Sequence, residues 1–321
     1  MHNALFLLTF PRELSARYRD HVQREFSELR VDLVDHHTKA GPYIGDAEIL
    51  LTFGGMMTDD VLRRAGNLRW IQALGTGVDG IIDQPSLRDD VLVTNMRGIH
   101  GPPVSEAALT LMLALCRDLP RAIRNQGRRV WDRFMPSLLK DKTVGILGIG
   151  VIAEELAPKC KAFGMRVIGI TSTVRDVEGF DDVRHRDDLE DVVPDLDFFV
   201  ILVPYSPQTK AIVGSEVFAA MKPTAYLINV SRAGVVDEEA LVAALETKQI
   251  AAAALDVFTE EPLPEHSPLW GIENLLITPK QGGYCDVYVD YALPIIDENI
   301  RRYLAGSIDT MVNIVTRRGA E

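Results

Sequence analysis

The segment Gly148-Ile149-Gly150-Val151-Ile152-Ala153 constrains this chain more than any other. It follows an apolar run at 143–147 and opens a helical pattern that extends to 163. The pattern is G-x-G-x-x-A, and each small residue has a mechanical reason. Gly148 permits the tight turn out of the strand, Gly150 lets backbone approach a pyrophosphate, and Ala153 lets the helix pack on the strand. The helix N-terminus then offers unpaired N–H groups and a positive dipole end to the phosphates. A lone glycine pattern is weak, but one lying between a strand and a helix has the context that confirms it. The turn predicts a dinucleotide-binding unit with Gly148, Gly150, Val151 and Ile152 at the phosphates. An ordinary strand-to-helix turn is the alternative.

The rest of the chain extends this pattern. Apolar runs at 4–10, 48–53, 69–74 and 91–95 read as strands, and 12–29 and 59–65 read as helices. A break rich in Gly and Pro, Arg97-Gly98-Ile99-His100-Gly101-Pro102-Pro103, reads as a hinge leading into a helix at 104–117. A polar, arginine-rich passage occupies 118–140. A second series opens at Thr143, with strands at 143–147, 166–171, 197–203, 225–230, 251–258 and 274–278. Its helices read at 151–163, 215–221 and 238–247, and a last one at 287–304 follows the completed series. Alternation of this kind predicts parallel sheets with helical crossovers. The 321 residues suit two domains at roughly 100–200 residues each. The expected architecture is α/β, two Rossmann-like domains with parallel sheets and a cleft between them. Residues 1–100 plus 286–321 form a discontinuous substrate domain, and 101–285 form the dinucleotide-binding domain.

Charge and composition narrow the function. Acidic residues number 46 against 34 Lys and Arg, a net charge of −12. Such a field argues against a nucleic-acid partner. Cys116, Cys160 and Cys285 have no metal-like spacing and read as thiols in a reducing compartment. No zinc-type histidine pattern is present, so no metal is expected. The first residues read as a short strand rather than a signal peptide, and the apolar run at 107–116 is too short to span a bilayer. The expectation is a cytoplasmic protein with no membrane association.

The strand after the glycine turn bears on cofactor choice. An acid about 20 residues on would hold the ribose 2′-OH of NAD. This strand ends Thr171-Ser172-Thr173-Val174-Arg175, which offers hydroxyls and an arginine instead. Thr171, Ser172, Thr173 and Arg175 suit a 2′-phosphate. NADP is expected, and a polar loop that also accepts NAD is the alternative.

Further motifs occur in a telling order: Leu74-Gly75-Thr76-Gly77-Val78-Asp79-Gly80, Asn229-Val230-Ser231-Arg232-Ala233-Gly234, Leu255-Asp256-Val257-Phe258, Glu261-Pro262-Leu263 and Ile277-Thr278-Pro279. With the glycine turn, they make the chain resemble the D-isomer-specific 2-hydroxyacid dehydrogenases, in particular those that reduce glyoxylate and hydroxypyruvate. The resemblance covers nearly the whole chain and is most specific from Gly98 to Leu304. It implies a dimer in which an Arg, a Glu and a His act on a 2-oxo or 2-hydroxy acid between two α/β domains. It places Val203, Pro204, Thr209, Val230, Ser231, Arg232 and Asp256 at the dinucleotide. In particular, it implies that Asp256 bonds the nicotinamide carboxamide. On spacing alone, Asp256 serves equally well as a structural cap.

The residue types fit that chemistry. Arg232 follows a strand at its carboxyl end, where open α/β sheets bind ligands. Its planar fork can hold carboxylate and carbonyl oxygens together. Gly75, Gly77 and Val78 can point backbone N–H groups at a substrate carboxylate. The resemblance makes Glu261 the partner of the acid–base residue; a bare reading makes it a solvated loop charge. The departure is at position 280, where the family has histidine after Thr-Pro and this chain has Lys280. His266 and His100 do not match that position. An ammonium can protonate an oxygen that gains charge under hydride attack. Lysine titrates near 10.4, so it suits reduction better than oxidation.

Arg232, Glu261 and Lys280 are therefore the candidate catalytic residues of a 2-oxo acid reductase. Glyoxylate, hydroxypyruvate or a longer polar oxo acid are candidate substrates. Tyr284 and Tyr288 either line the pocket or pack in the last helix, and 54–57 would shape the side-chain pocket. A catalytically impaired dinucleotide sensor is the alternative to the enzyme.

Overall fold

The computed structural model describes residues 1–315, which divide into two compact units. One comprises residues 1–99 with the described segment from Cys285 onward; the other comprises His100–Tyr284. Each is an α/β unit built on a parallel sheet.

The first unit carries β1 (His2–Leu7), β2 (Leu29–Val34), β3 (Ile49–Thr52), β4 (Trp70–Ala73) and β5 (Leu92–Thr94) in the order β2-β1-β3-β4-β5. Every pairing is parallel. Helices cover both faces of a parallel sheet, so its strands read as unbroken apolar runs. All four residues of β3 and of β4 are buried.

The helix expected at 12–29 ends earlier. It spans Arg12–Glu25, and β2 begins at Leu29 after a two-residue turn. No glycine or proline marks that boundary. Phe26, Leu29 and Leu33 also continue the helix-like spacing of Tyr18 and Val22, which hid the strand.

The helix Tyr288–Leu304 lies in this unit and packs on Arg12–Glu25. Arg17 pairs with Asp290 at 2.8 Å and His21 with Asp297 at 3.0 Å. Tyr288 is buried and donates to the Leu74 carbonyl at 2.5 Å, so it is a core residue of this unit. A fully buried polar cluster ties the same helix to the sheet. Gln72 Oε1 accepts from Thr94 Oγ1 at 2.8 Å and from Asn299 Nδ2 at 2.9 Å.

The second unit carries β6 (Thr143–Leu147), β7 (Arg166–Thr171), β8 (Asp182–His185), β9 (Phe198–Ile201), β10 (Tyr226–Asn229), β11 (Ala252–Leu255) and β12 (Leu275–Ile277). The order is β12-β11-β10-β9-β6-β7-β8, again all parallel. The chain runs outward from β6 through β7 to β8, then returns to β9 on the other side of β6. The switch point of the topology is therefore between β6 and β9, where such sheets place their ligands.

Two local expectations need correction. The glycine–proline break at 101–103 is not a loop, because the helix spans Gly101–Cys116. Pro102 and Pro103 lie in its first turn, where backbone N–H groups have no helical partner to lose. β8 was not expected, because Asp182-Val183-Arg184-His185 is a polar edge strand without an apolar run. Within 118–140, a further helix spans Leu119–Arg128.

Candidate active site

The carboxyl ends of the seven parallel strands share one edge of the sheet, and the loops of interest leave from that edge. The phosphate turn comes first. Gly148 has φ +100°, and a Cβ there would lie 2.7 Å from the Val203 backbone nitrogen. Only glycine fits between β6 and the loop after β9, which brings Val203 and Pro204 beside the turn. Gly150 differs, because nothing lies within 4 Å of where its Cβ would be. It is the N-cap of the helix Val151–Ala162, and no side chain caps that helix. An open strip of backbone thus meets an uncapped helix N-terminus with Val151 and Ile152 in its first turn. That arrangement fits a pyrophosphate. Ala153 is buried against the sheet, as its place in the motif requires.

β7 ends at Thr171, followed by exposed Ser172, Thr173 and Arg175. His185 donates to the Ser172 carbonyl at 2.9 Å and tethers this loop to β8. Arg175 reaches Glu154 on the phosphate helix at 3.4 Å, with both side chains about half exposed. No acid occupies 171–175. A 2′-phosphate here would meet hydroxyls and one arginine, and Glu154 competes for that arginine.

Arg232 is held by its own neighbours. Asn229 is buried at the end of β10, and its Oδ1 accepts from the N–H and hydroxyl of Ser231 at 3.1 and 3.0 Å. Its Nδ2 donates to the Arg232 carbonyl at 3.0 Å. Arg232 Nη1 donates to the Ser231 carbonyl at 2.7 Å. Val230 and Ser231 are buried where the strand ends. Asn229 is not among the expected site residues, yet a buried amide at a strand end is a readable signal for a cap. On β9's side, Thr209 is buried, and its hydroxyl donates to the Pro204 carbonyl at 2.8 Å.

Asp256 follows β11 and is 4% exposed. Its Oδ1 accepts from Thr278 Oγ1 at 2.6 Å and from the Gln281 N–H at 3.0 Å. Its Oδ2 accepts from the Gly282 N–H at 2.8 Å. The carboxylate thus caps the loop after β12, the loop that carries Lys280. Lys280 itself has φ +51°, the left-handed region that lysine seldom occupies. Its Nζ donates to Glu261 Oε2. The other oxygen of Glu261 accepts from the Phe258 N–H at 3.1 Å. Glu261 is therefore no free loop charge: it is braced on the backbone after β11 and holds the lysine. His266 is exposed; His100 packs its ring against Gly283 at the end of the same loop. Tyr284 is about half exposed.

In the first unit, Gly75, Gly77 and Val78 lie in the loop after β4. The carbonyl of Gly75 accepts from the Met96 N–H at 3.0 Å, and that of Thr76 from Asn95 Nδ2 at 2.8 Å. Those two bonds tie the loop after β4 to the segment 95–96. Gly54 and Gly80 touch backbone to backbone here; a Cβ on Gly80 would lie 2.6 Å from the Gly54 carbonyl oxygen. Among the described residues, no cluster of His, Cys, Asp and Glu could hold a metal ion. No helix among them is long and apolar enough to cross a membrane.

Comparison with known proteins agrees with this geometry. A family model described as "D-isomer specific 2-hydroxyacid dehydrogenase, NAD binding domain" matches residues 109–282. The D-3-phosphoglycerate dehydrogenase of Methanocaldococcus jannaschii is 36% identical over 276 residues, which are 84% of this chain and 52% of that protein. The chain spans about half the length of the D-3-phosphoglycerate dehydrogenases it matches. A D-isomer specific 2-hydroxyacid dehydrogenase family protein from Aeromonas salmonicida superposes with a TM-score of 0.88 at 33% identity, covering 98% of this chain and 99% of the other. A D-isomer specific 2-hydroxyacid dehydrogenase from Xanthobacter autotrophicus, in complex with NADPH and MES, superposes with a TM-score of 0.81 at 29% identity, covering 99% and 98%.

Proposed function

Because the chain belongs to the D-isomer-specific 2-hydroxyacid dehydrogenase family, we propose that it is an NAD(P)-dependent reductase of a small 2-oxo acid with Lys280 as its proton donor. The observation that carries this reading is the grip of Glu261 on Lys280, with both loops braced on backbone. The dinucleotide fits the Gly148–Gly150 strip, the Val151–Ala162 helix end and the 171–175 loop. When bound, its nicotinamide supplies the hydride.

The chain's own residues do the rest. The guanidinium of Arg232 binds the substrate carboxylate and polarises its carbonyl, a task its planar fork suits. As the carbonyl oxygen gains negative charge, Lys280 Nζ gives it a proton, leaving a hydroxyl on the product and a neutral amine on the enzyme. Solvent then returns a proton to the amine. An ammonium has three N–H donors. Glu261 takes one, so the others remain for substrate. The Glu261 carboxylate fixes the direction of the ammonium.

NADP is the favoured cofactor, because the loop after β7 has no acid for a ribose 2′-OH. The Xanthobacter relative, in complex with NADPH, agrees with that choice. The same reading takes the protein as a cytoplasmic homodimer, to be checked by sedimentation.

A panel of 2-oxo acids assayed with NADPH and NADH tests the reading. Lys280→Ala and Arg232→Ala should each lower turnover by about 10²–10⁴-fold, the range for lost acid–base catalysis, while dinucleotide binding stays intact. Tight NADPH binding with no turnover of any 2-oxo acid at any pH would replace the enzyme with a dinucleotide sensor.

A further inference from the structure

The loop after β9 presents an aromatic ring that the chemistry above does not use. Tyr205 is 41% exposed, yet the turn beneath it is locked. The buried Thr209 hydroxyl donates to the Pro204 carbonyl at 2.8 Å and accepts from the Ser206 N–H at 2.7 Å. The residues on either side of Tyr205 are thus tied to one hydroxyl. The ring lies on Gly234. A Cβ at that position would be 2.7 Å from Tyr205 Cε2 and 2.9 Å from Cδ2, so a side chain there would have to displace the ring.

The contact continues along the chain. The Ala211 N–H donates to the Gly234 carbonyl at 2.8 Å, the Val213 N–H donates to the Val235 carbonyl at 3.2 Å, and Val213 bridges Val236. The segment 205–213 therefore runs against the 3-10 turn Ala233–Val235, whose N-cap is Arg232. Asn229 grips Arg232 from the strand side. Tyr205 meets the same turn at Gly234, beyond the arginine.

We propose that Tyr205 is a positioning residue for Arg232. Its ring, set by Thr209 and seated on Gly234, holds the turn in the place from which the guanidinium meets the substrate. The ring fills the space that a side chain at 234 would take, so the ring and the absent Cβ form one contact. Shaving the ring would let the turn, and Arg232 with it, shift toward the space vacated. The proposal rests on the role given to Arg232 above.

The test is a pair of double-mutant cycles, read as kcat and KM for a 2-oxo acid and as Kd for NADPH. Tyr205→Ala should lower kcat/KM by roughly 10- to 100-fold, the scale of a displacement of about 1 Å in a binding group. Its Kd for NADPH and its thermal midpoint should hold, since the ring is on the surface. Tyr205→Phe keeps the ring and should retain most of the turnover. Gly234→Ala should be impaired alone and should cost little further in a Tyr205→Ala background, because the removed ring makes room for the new methyl. In an Arg232→Ala background, Tyr205→Ala should cost nothing further.

Equal factors for Tyr205→Ala with and without Arg232 would overturn the proposal. So would an effect of less than about twofold, which lies within the scatter of independent sites. Loss in Tyr205→Phe equal to that in Tyr205→Ala would assign the work to the hydroxyl instead. If Gly234→Ala does not fold, the Arg232 cycle decides alone. Full activity in Arg232→Ala would instead refute the parent reading, a result distinct from all of these.

Discussion

Replacing Asp256 by Asn asks whether this carboxylate works for the loop or for the cofactor. In the structure it receives the Gln281 N–H on one oxygen and the Gly282 N–H on the other, with the Thr278 hydroxyl as a third donor. An asparagine has the same shape but only one oxygen. Its NH2 group would face a backbone N–H across about 3 Å, donor against donor. Hydrogen bonds to a charged group contribute about 1.5–3 kcal/mol each, and a buried donor left without an acceptor costs about 1–3 kcal/mol.

Losing one charged bond and stranding one N–H therefore destabilises the loop by roughly 2.5–6 kcal/mol. A domain stability of about 5–15 kcal/mol survives that, so the fold should persist while the loop 278–282 opens locally. Lys280 is carried by that loop, and turnover should fall with it.

Amide hydrogen exchange reads the loop directly. Gln281 and Gly282 should lose protection in Asp256→Asn, while the β6 and β7 amides keep theirs. A global loss would show as a drop in thermal midpoint of about 2–4 °C per kcal/mol for a domain of this size. The reasoning fails if both amides stay protected while NADPH binding weakens. That result would make Asp256 a nicotinamide ligand first and a cap second.

Other outcomes follow from single contacts. Gly148→Ala must place a side chain at φ +100° and 2.7 Å from the Val203 nitrogen, so a loss of about 1–3 kcal/mol from backbone strain alone, with NADPH binding weakened, should appear by calorimetry. Arg175→Ala should weaken NADPH and leave NADH unchanged, whereas Glu154→Gln, which frees Arg175 from its pair, should tighten NADPH; equal changes for both cofactors would remove Arg175 from phosphate recognition. Burial pushes the Cys160 thiol up to about 12. The unfolded thiol ionises first, so stability should hold below about pH 9 and fall as pH rises toward 12. Cys160→Ala should flatten that alkaline slope in urea titrations, and an unchanged slope would count against the burial argument.

What the sequence let one read, and what it hid, follows from where each signal resides. The β6 turn was legible because its glycines answer to local geometry: one must avoid Val203 and the other must leave room. The strands β3, β4, β6 and β7 were legible because burial on both faces leaves unbroken apolar runs. β8 carries Asp, Arg and His on an edge and gives no such run. β2 merged with the helix before it because no breaker separates them.

The site divides in the same way. Arg232 stands out as an arginine at the carboxyl end of a strand. Glu261 could be assigned only through resemblance, since an acid in a Pro-containing loop otherwise reads as solvated. The choice between the two readings of Asp256 was open in sequence, because the donors to its carboxylate come from the separate loop 278–282. The left-handed backbone of Lys280 was invisible, for lysine carries no residue-type signal for that conformation.

That backbone bears on the choice between enzyme and sensor. A left-handed conformation costs a residue with a Cβ roughly 1–2 kcal/mol, and glycine would adopt it freely. Glycines stand at 282 and 283, yet the strained position holds a lysine. Strain of this kind persists only where the surroundings over-determine it. Here Asp256 fixes Thr278 on one side of the lysine and Gln281 and Gly282 on the other, and Glu261 fixes the side chain's end. Dinucleotide binding at the β6 turn requires none of this. A half-exposed ammonium held at both its backbone and its tip is what a proton donor needs, because the orientation is set before substrate arrives. Lys280→Gly separates the two demands. It relieves the backbone and removes the amine, so it should raise the thermal midpoint or leave it unchanged while turnover collapses. Stability lost together with turnover would make the lysine a structural strut, and the proton would then have to come from elsewhere.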